Sequence, residues 1–349
     1  MKDDYLWDGS GEPDPEIQHL EKILGRFRHT RPPLAIPARA SLWDRLRAQA
    51  WLPRLAAGAA MALVAVGVWL GVREAQPPQP ATATWAVARV AGAPTIASQR
   101  IGETGHLGVG QWIETDASSR AVLNVGGLGE VQVEPDTRLR LVEARSARRL
   151  ALQRGTIHAM IWAPPGQFVV DTPSAMAVDL GCAYTLHVDD KGAGLLRVTF
   201  GWVGFKLGER ESFIPEGAVC VTRPGSGPGT PYYEDASPAF RAALEKLDFE
   251  QGNAQDRSRE LGVVLAQARK RDALSLWHLL SDSEGSQRER VYERLASLVP
   301  PPEGVTREGI LKGDQQMRDL WWNQLGLQDM AWWRQWERSW PDKTVPRDK

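Results

Sequence analysis

One uncharged apolar run constrains this chain more than any other feature. Residues 55–72 have the sequence LAAGAAMALVAVGVWLGV, bracketed by Arg54 and Arg73. At about 1.5 Å of rise per residue, a helix of this length spans roughly 27 Å, close to the hydrocarbon core of a bilayer at about 30 Å. The sequence therefore predicts one transmembrane helix. A buried core helix is the alternative, which the flanks disfavour, and a cleaved signal peptide would be shorter and nearer the N-terminus.

The charges beside this run predict its orientation. More arginines precede it than follow it over similar distances, and positive residues favour the cytoplasmic side. We therefore expect residues 1–54 in the cytoplasm and the rest of the chain exported. The arginines are Arg39, Arg45, Arg47 and Arg54 before the run, and Arg73 and Arg89 after it.

The cytoplasmic tail carries one apolar helical stripe. Ile17, Leu20, Leu24 and Phe27 recur at steps of three and four residues after a helix-start signal at 13–16. A single short amphipathic helix cannot bury its own face, so these four residues are candidates for binding a partner. The alternatives are packing against a second candidate helix at 41–51, or a juxtamembrane helix without a function of its own.

Beyond the span, composition and periodicity divide the chain into five further segments. Period-two alternation of apolar residues, with Gly and Pro turns, predicts an all-β module of short strands, either a solenoid or a sandwich. Helical stripes return afterwards, which predicts an all-α C-terminal domain. The segments are a Pro-rich spacer at 73–84, the β module at 85–223, a Gly/Pro linker at 224–235, the helical domain at 236–340 and a disordered tail at 341–349.

Little in the sequence points to catalysis. There are 42 basic and 43 acidic residues, so the chain lacks the basic field of a nucleic-acid binder. Phosphate-binding loops, nucleophile elbows and metal-spaced histidine pairs are absent from the sequence, so we expect no catalytic residues, no cofactor and no metal site. We interpret the charged group Glu209–Glu211 as a solvated turn. The expected class is a non-enzyme.

Cys182 and Cys220 are the only cysteines, and both fall in the segment expected to be exported. Oxidation is permitted there, so a disulfide between them is one prediction. Two independent buried thiols are the equally weighted alternative.

Tryptophans cluster near the C-terminus. Trp332, Trp336 and Trp340 are spaced four apart, which places three indoles on one face of a predicted helix, and Trp321 and Trp322 precede them. Core packing of the helical domain is the simplest interpretation. The functional alternatives are contact with the membrane interface, with a partner protein or with a glycan.

Several short motifs of the β module resemble, in the expected order, those of the FecR domain of bacterial membrane-anchored signalling regulators. The resemblance covers about 85–205, and its most specific parts are the Thr172-Pro173 step and the later Gly-x-Val. The motif segments are Leu107–Asp116, Glu130–Leu139, Leu152–Ile157, Phe168–Ala175, Asp179–Gly181 and Gly201–Val203.

The resemblance implies a function that agrees with the expected topology. Members of this family have one membrane span, a cytoplasmic tail and an exported sensing part, and in one branch the tail contacts a sigma factor. By this resemblance the chain would lie in the bacterial inner membrane, with its C-terminal domains in the periplasm, and would transmit an envelope signal to a cytoplasmic regulator. The alternative is a non-signalling structural or binding protein that holds an envelope protein or a glycan.

Overall fold

The computed structural model describes residues 84–145, 148–327, 330 and 333–334. All of them lie within a single compact unit of the chain, Pro77–Lys349. The predicted tail helix, the predicted span at 55–72 and the spacer up to residue 83 lie outside the described residues. No helix in the described ranges is long and apolar enough to cross a membrane.

Eighteen strands occupy the first part of the described chain. They are β1 Thr84–Ala91, β2 Thr95–Ile96, β3 Gln99–Arg100, β4 Thr104–Gly108, β5 Trp112–Glu114, β6 Arg120–Asn124, β7 Gly129–Val133, β8 Arg138–Glu143, β9 Arg148–Ile161, β10 Phe168–Asp171, β11 Met176–Asp179, β12 Cys182–Val188, β13 Gly194–Phe200, β14 Trp202–Leu207, β15 Arg210–Pro215, β16 Ala218–Arg223, β17 Gly227–Pro228 and β18 Tyr232–Tyr233.

The strands form two sheets that share the long strand β9, and neither sheet closes on itself. Sheet A has the order β4-β1-β6-β7-β9-β12-β13-β16, with β17 and β18 paired to β16. Sheet B has the order β3-β2-β5-β8-β9-β10-β11-β14-β15. Antiparallel pairing prevails in both, and β9 and β10 run parallel.

Strand β9 passes from one sheet to the other at Gly155. Its first half pairs with β8 and β10 in sheet B, and its second half pairs with β7 and β12 in sheet A. Gly155 has φ +97°, and a Cβ there would lie 2.3 Å from Cα of Thr137. Only glycine tolerates both this backbone and this close approach, so Gly155 permits the transfer between sheets.

The predicted period-two alternation is seen most clearly in β12. Cys182, Tyr184, Leu186 and Val188 are each at most 2% exposed, and the residues between them are less buried. The inward residues of both sheets belong to one continuous apolar core. Successive side chains of a strand point to opposite faces, so this pattern explains how the sequence holds the two sheets against each other.

Helices follow the strands and pack on them. The start of the first helix shows why it begins where it does: Ser237 accepts a hydrogen bond from the backbone N of Phe240 at 3.2 Å, and Pro238 occupies the first turn. The helices are α1 Pro238–Phe249, α2 Ala254–Gln267, a 3₁₀ turn Lys270–Asp272, α3 Ala273–Asp282, α4 Gly285–Leu298, α5 Arg307–Leu311 and α6 Gln315–Gln324.

The Gly- and Pro-rich segment expected as a linker packs against the β region in the structure. Its strands β17 and β18 both pair with β16. Residues 227–231 are buried. This segment therefore joins the helices to the sheets through a packed connection, and the β region and the helices share one core.

Candidate functional site at the junction of sheets and helices

Five aromatic residues form the contact between the helices and the end of sheet B, and we call them the aromatic junction. Phe213 on β15 lies at the centre. Its ring centroid is 4.7 Å from that of Trp333, 5.7 Å from that of Trp322 and 6.3 Å from that of Trp277, all in edge-to-face arrangements. Trp202 on β14 completes the set, with its centroid 5.7 Å from that of Trp322. Such pairs add stabilisation beyond their buried area, so the junction holds the helices firmly on the sheet.

Trp333 lies directly on the backbone of β14. A Cβ built on Gly204 would be 2.5 Å from Cη2 of Trp333. Since real Cβ atoms do not approach so closely, a glycine at position 204 is needed for the indole to reach Phe213.

His278 on α3 links this helix to strand β15 by a hydrogen bond. Its Nε2 accepts from the backbone N of Phe213 at 3.0 Å, and its Nδ1 donates to the carbonyl of Leu274 at 2.8 Å. Burial lowers the pKa of His278 to about 3, so the imidazole is neutral at physiological pH. Both ring nitrogens are engaged, which makes His278 a structural connector rather than a proton-transfer group.

Arg210, at the start of β15, ties the sheet to two helices. Its Nη2 donates to Oδ1 of Asp248 at 3.0 Å and to Oδ2 of Asp282 at 3.2 Å. Asp248 also accepts from the backbone N and the hydroxyl of Thr230, at 2.7 and 2.9 Å. Burial outweighs these hydrogen bonds and raises the pKa of Asp248 to about 6.

Arg334 makes a second ionic link across the junction. Its Nη2 lies 2.8 Å from Oε1 of Glu211, and its Nε lies 2.9 Å from Oδ2 of Asp319. The side chain of Glu211 is only 18% exposed. The interpretation of Glu209–Glu211 as a solvated turn is therefore wrong for Arg210 and Glu211, because both lie on β15 and form ion pairs with residues that follow the sheets in the chain.

A polar cleft opens beside these contacts, and we call it the Arg318 cleft. Its volume is about 340 Å³, and it lies between the β14–β15 hairpin and helices α3 and α6. Four basic and three acidic side chains line it together with Trp277, Ser281 and Gln315. The charged residues are Lys206, Arg210, Arg318, Arg334, Glu209, Glu211 and Asp282.

The two cysteines are separate buried thiols, and the predicted disulfide is not formed. Cys182 and Cys220 lie on β12 and β16, with β13 between them. Two strand spacings alone amount to about 9.6 Å, beyond the Cα separation of about 4.4–6.8 Å that a disulfide needs. Each thiol has its own acceptor: Cys182 donates to Oδ2 of Asp179 at 2.8 Å, and Cys220 to the carbonyl of Gly229 at 3.2 Å.

Asp179 is the second buried acid of the structure with a strong pKa shift. It is 1% exposed, and its Oδ1 accepts from the backbone N of Gly181 at 2.7 Å. Burial raises the pKa of Asp179 to about 7. Burial also raises the pKa of the Cys182 thiol well above its usual value, so this thiol is not an activated nucleophile.

All seven candidate partner-binding residues from the sequence lie outside the described part of the chain. Ile17, Leu20, Leu24 and Phe27 lie outside it, and so do Trp332, Trp336 and Trp340. Their proposed roles stay predictions. Of the neighbouring tryptophans, Trp321, Trp322 and Trp333 are at most 2% exposed, so these three are core residues, as the packing interpretation expects.

Sequence reasoning missed the residues that join the two regions. His278 lies within a run of eight buried residues, Ala273–Leu280, and the mostly apolar sequence of this run was a signal that this part of α3 is covered on all sides. Phe213, Arg210 and Asp248 carry no comparable local signal, because their partners are distant in the chain.

The described residues contain no group of three or more side chains that could hold a metal ion. Among their strongly shifted titratable groups, Asp179, Asp248 and His278 are buried and already hydrogen-bonded. This arrangement supports packing and binding more than catalysis.

Comparison with known proteins finds one family. Residues 111–203 match the family model described as FecR protein. No curated protein sequence matches the chain. Two crystal structures of a candidate anti-sigma factor from Parabacteroides distasonis are similar to it, with 17% and 16% identity and TM-scores of 0.32 in both cases. The first match covers 38% of this chain and 63% of that one, and the second covers 44% and 73%. The chain thus spans less than two thirds of the first structure.

Proposed function

The chain carries a FecR domain, and on that premise we propose that it is a single-pass inner-membrane regulator that transmits an envelope signal to a cytoplasmic partner. The family match at 111–203 is the observation that carries the proposal. A sigma factor is the proposed partner, because the FecR family resemblance associates such tails with sigma factors.

The membrane anchor in this proposal is the apolar run at 55–72. Its length suits a bilayer, and the arginine excess before it favours a cytoplasmic N-terminus. The FecR domain and the helical region would then both lie in the periplasm. A short anchored tail on one side and a large sensing part on the other is the arrangement that inward signalling requires.

The aromatic junction supports a role for the helical region in sensing. The helices contact β14 and β15, and β14 pairs with β11 inside the FecR domain. A ligand or partner that displaces the helices would therefore change contacts of the FecR domain itself. Packed contacts of this kind can pass a change from one site to another when they have two arrangements.

Co-purification from membranes tests the partner. The full-length chain is isolated in detergent from its native cells, and bound sigma factors are identified by mass spectrometry. Ile17→Ser with Leu24→Ser removes the apolar stripe of the tail and should abolish capture. The matched control, Gln18→Ser with Lys22→Ser, changes the opposite face of the predicted helix and should leave capture intact. Absence of any sigma factor in the wild-type sample rejects this partner.

Reporter fusions test the topology independently. Alkaline phosphatase, which is active only when exported, should be active when fused after Lys349 and inactive when fused after Arg31. The reverse pattern, or recovery of the chain with soluble proteins, contradicts the anchored arrangement.

A binding protein without a signalling role is the second candidate function. The observation that favours it is an exposed apolar group on sheet A: Trp162 is 64% exposed, Phe200 49% and Met160 45%. The rings of Trp162 and Phe200 lie 5.7 Å apart. Such exposure is typical of contact surfaces. Under this alternative, Trp162→Ser with Phe200→Ser would disturb envelope assembly while deletion of the gene would leave transcription unchanged.

A further inference from the structure

The Arg318 cleft contains a cation that lacks an ion-pair partner among the described residues. Arg318 on α6 forms no ion pair with any described residue, whereas Arg210 and Arg334 beside it each bind two carboxylates. Its guanidinium donates one side-chain hydrogen bond within the described ranges, to Oε1 of Gln315. Its Nε is buried without a hydrogen-bond partner there.

Trp277 contacts both the backbone and the guanidinium of Arg318. The indole Nε1 donates to the carbonyl of Arg318 at 2.8 Å, and Cζ of Arg318 lies 5.6 Å from the centroid of the Trp277 ring. Burial lowers the pKa of Arg318, which reflects the cost of keeping this charge away from water. A planar guanidinium beside an indole, with its Nε unpaired among the described residues, is suited to bidentate recognition of an oxyanion.

The residues around Arg318 enclose a space large enough for a small molecule. The cleft of about 340 Å³ places Ser281 of α3 and Lys206 of β14 around the same space. Arg210 and Arg334 in this lining already bind two carboxylates each, so the positive charge available to an anion is centred on Arg318. Hydroxyl and ammonium groups at the rim add donors for the same ligand.

We propose that the Arg318 cleft binds a small oxyanion, a phosphate or a carboxylate group, on the guanidinium of Arg318 with Ser281 and Lys206 at the rim. The bound anion contacts the β14–β15 hairpin and helices α3 and α6 at the same time. Because it binds the docked arrangement, it stabilises the junction, and the stabilisation grows as the logarithm of its concentration above the dissociation constant. The proposal does not depend on the membrane anchor or on a sigma factor.

Calorimetry and thermal unfolding of the full-length chain test the site. Inorganic phosphate and citrate are titrated separately at constant ionic strength. We expect one saturable site for at least one of them, with a matching rise of the melting temperature. Binding of phosphate alone identifies a phosphate group as the ligand, and binding of citrate alone identifies a carboxylate. Failure of both to bind overturns the proposal.

Three variants locate the binding. Arg318→Gln should weaken it at least about tenfold, because a hydrogen bond to a charged group contributes about 1.5–3 kcal/mol. Arg259→Gln, at an exposed arginine of α2 outside the cleft, should leave it unchanged. Ser281→Asp, which keeps Arg318, should weaken binding by placing a negative charge at the rim. Binding equal to wild type in both Arg318→Gln and Ser281→Asp overturns the proposal, whatever the stability of either variant.

Discussion

Replacement of His278 by glutamine should change how the stability of the protein depends on pH. The glutamine oxygen can accept the hydrogen bond from the backbone N of Phe213 that Nε2 accepts at 3.0 Å, but it does not titrate. In the folded chain burial lowers the pKa of His278 to about 3, against 6.5 in its ordinary state. Between these values the unfolded chain binds the proton more tightly, so the wild-type chain loses stability as pH falls.

The size of this effect follows from linkage. Each pKa unit corresponds to about 1.36 kcal/mol, so acidification from pH 7 to pH 4 should cost the wild type about 3 kcal/mol through His278 alone. The His278→Gln variant should lack this loss. Other acids in the fold titrate in both proteins and cancel in the comparison.

Urea unfolding at pH 7 and pH 4 measures the difference, with tryptophan fluorescence reporting the aromatic junction. The free energy of unfolding of the wild type relative to the variant should fall by about 3 kcal/mol between the two conditions. The same substitution at His106, an exposed histidine on β4, is the matched control and should follow the wild type. Parallel pH dependence in wild type and His278→Gln would refute the assignment of a neutral, buried imidazole.

Three further outcomes test the packing and the buried acid. Gly204→Ala should lower the free energy of unfolding by about 1–3 kcal/mol in thermal denaturation, because its methyl group would lie 2.5 Å from Trp333, whereas Gly102→Ala, with no atom within 4 Å, should have little effect. Asp179 has a folded pKa of about 7, above its ordinary 3.8, so the stability it contributes at low pH is lost as pH rises through 7. Between pH 4 and pH 8, the free energy of unfolding measured with urea should therefore fall by up to about 4 kcal/mol less in Asp179→Asn than in the wild type. Gly155→Val should prevent accumulation of folded protein in a proteolysis assay, because φ +97° and a 2.3 Å approach exclude a side chain; normal protease resistance would contradict this.

The spacing of apolar residues along the sequence was enough to predict the secondary structure of the strands and helices. The period-two alternation predicted half-buried strands, and β12 from Cys182 to Val188 is one of them. The helical stripes predicted after the strands include Phe240, Leu244 and Leu247, which form the buried face of α1. These features are recoverable because side-chain direction has a fixed period in strands and helices. The FecR motifs belong to the same class, since each is a short stretch of consecutive residues, and the family match falls on the same segment.

Contacts between residues that are far apart in the chain could not be predicted from the sequence. Cys182 and Cys220 share a sheet, yet the strand between them keeps them apart, and nothing local to either residue reports that separation. Glu211 belongs to a charged group that looks solvated in the sequence, but in the structure Arg334 binds it and its side chain is only 18% exposed.

Composition and periodicity by themselves determined that this chain has one long uncharged run, a strand-rich region with FecR motifs and a helical region after it. Tertiary structure alone decided that the helices pack on β14 and β15, that Trp333 rests on Gly204, and that His278 and Arg210 connect the two regions. The physical reason is that backbone periodicity is a property of neighbouring residues, whereas burial, ion pairing and the resulting pKa shifts depend on which segments meet in three dimensions.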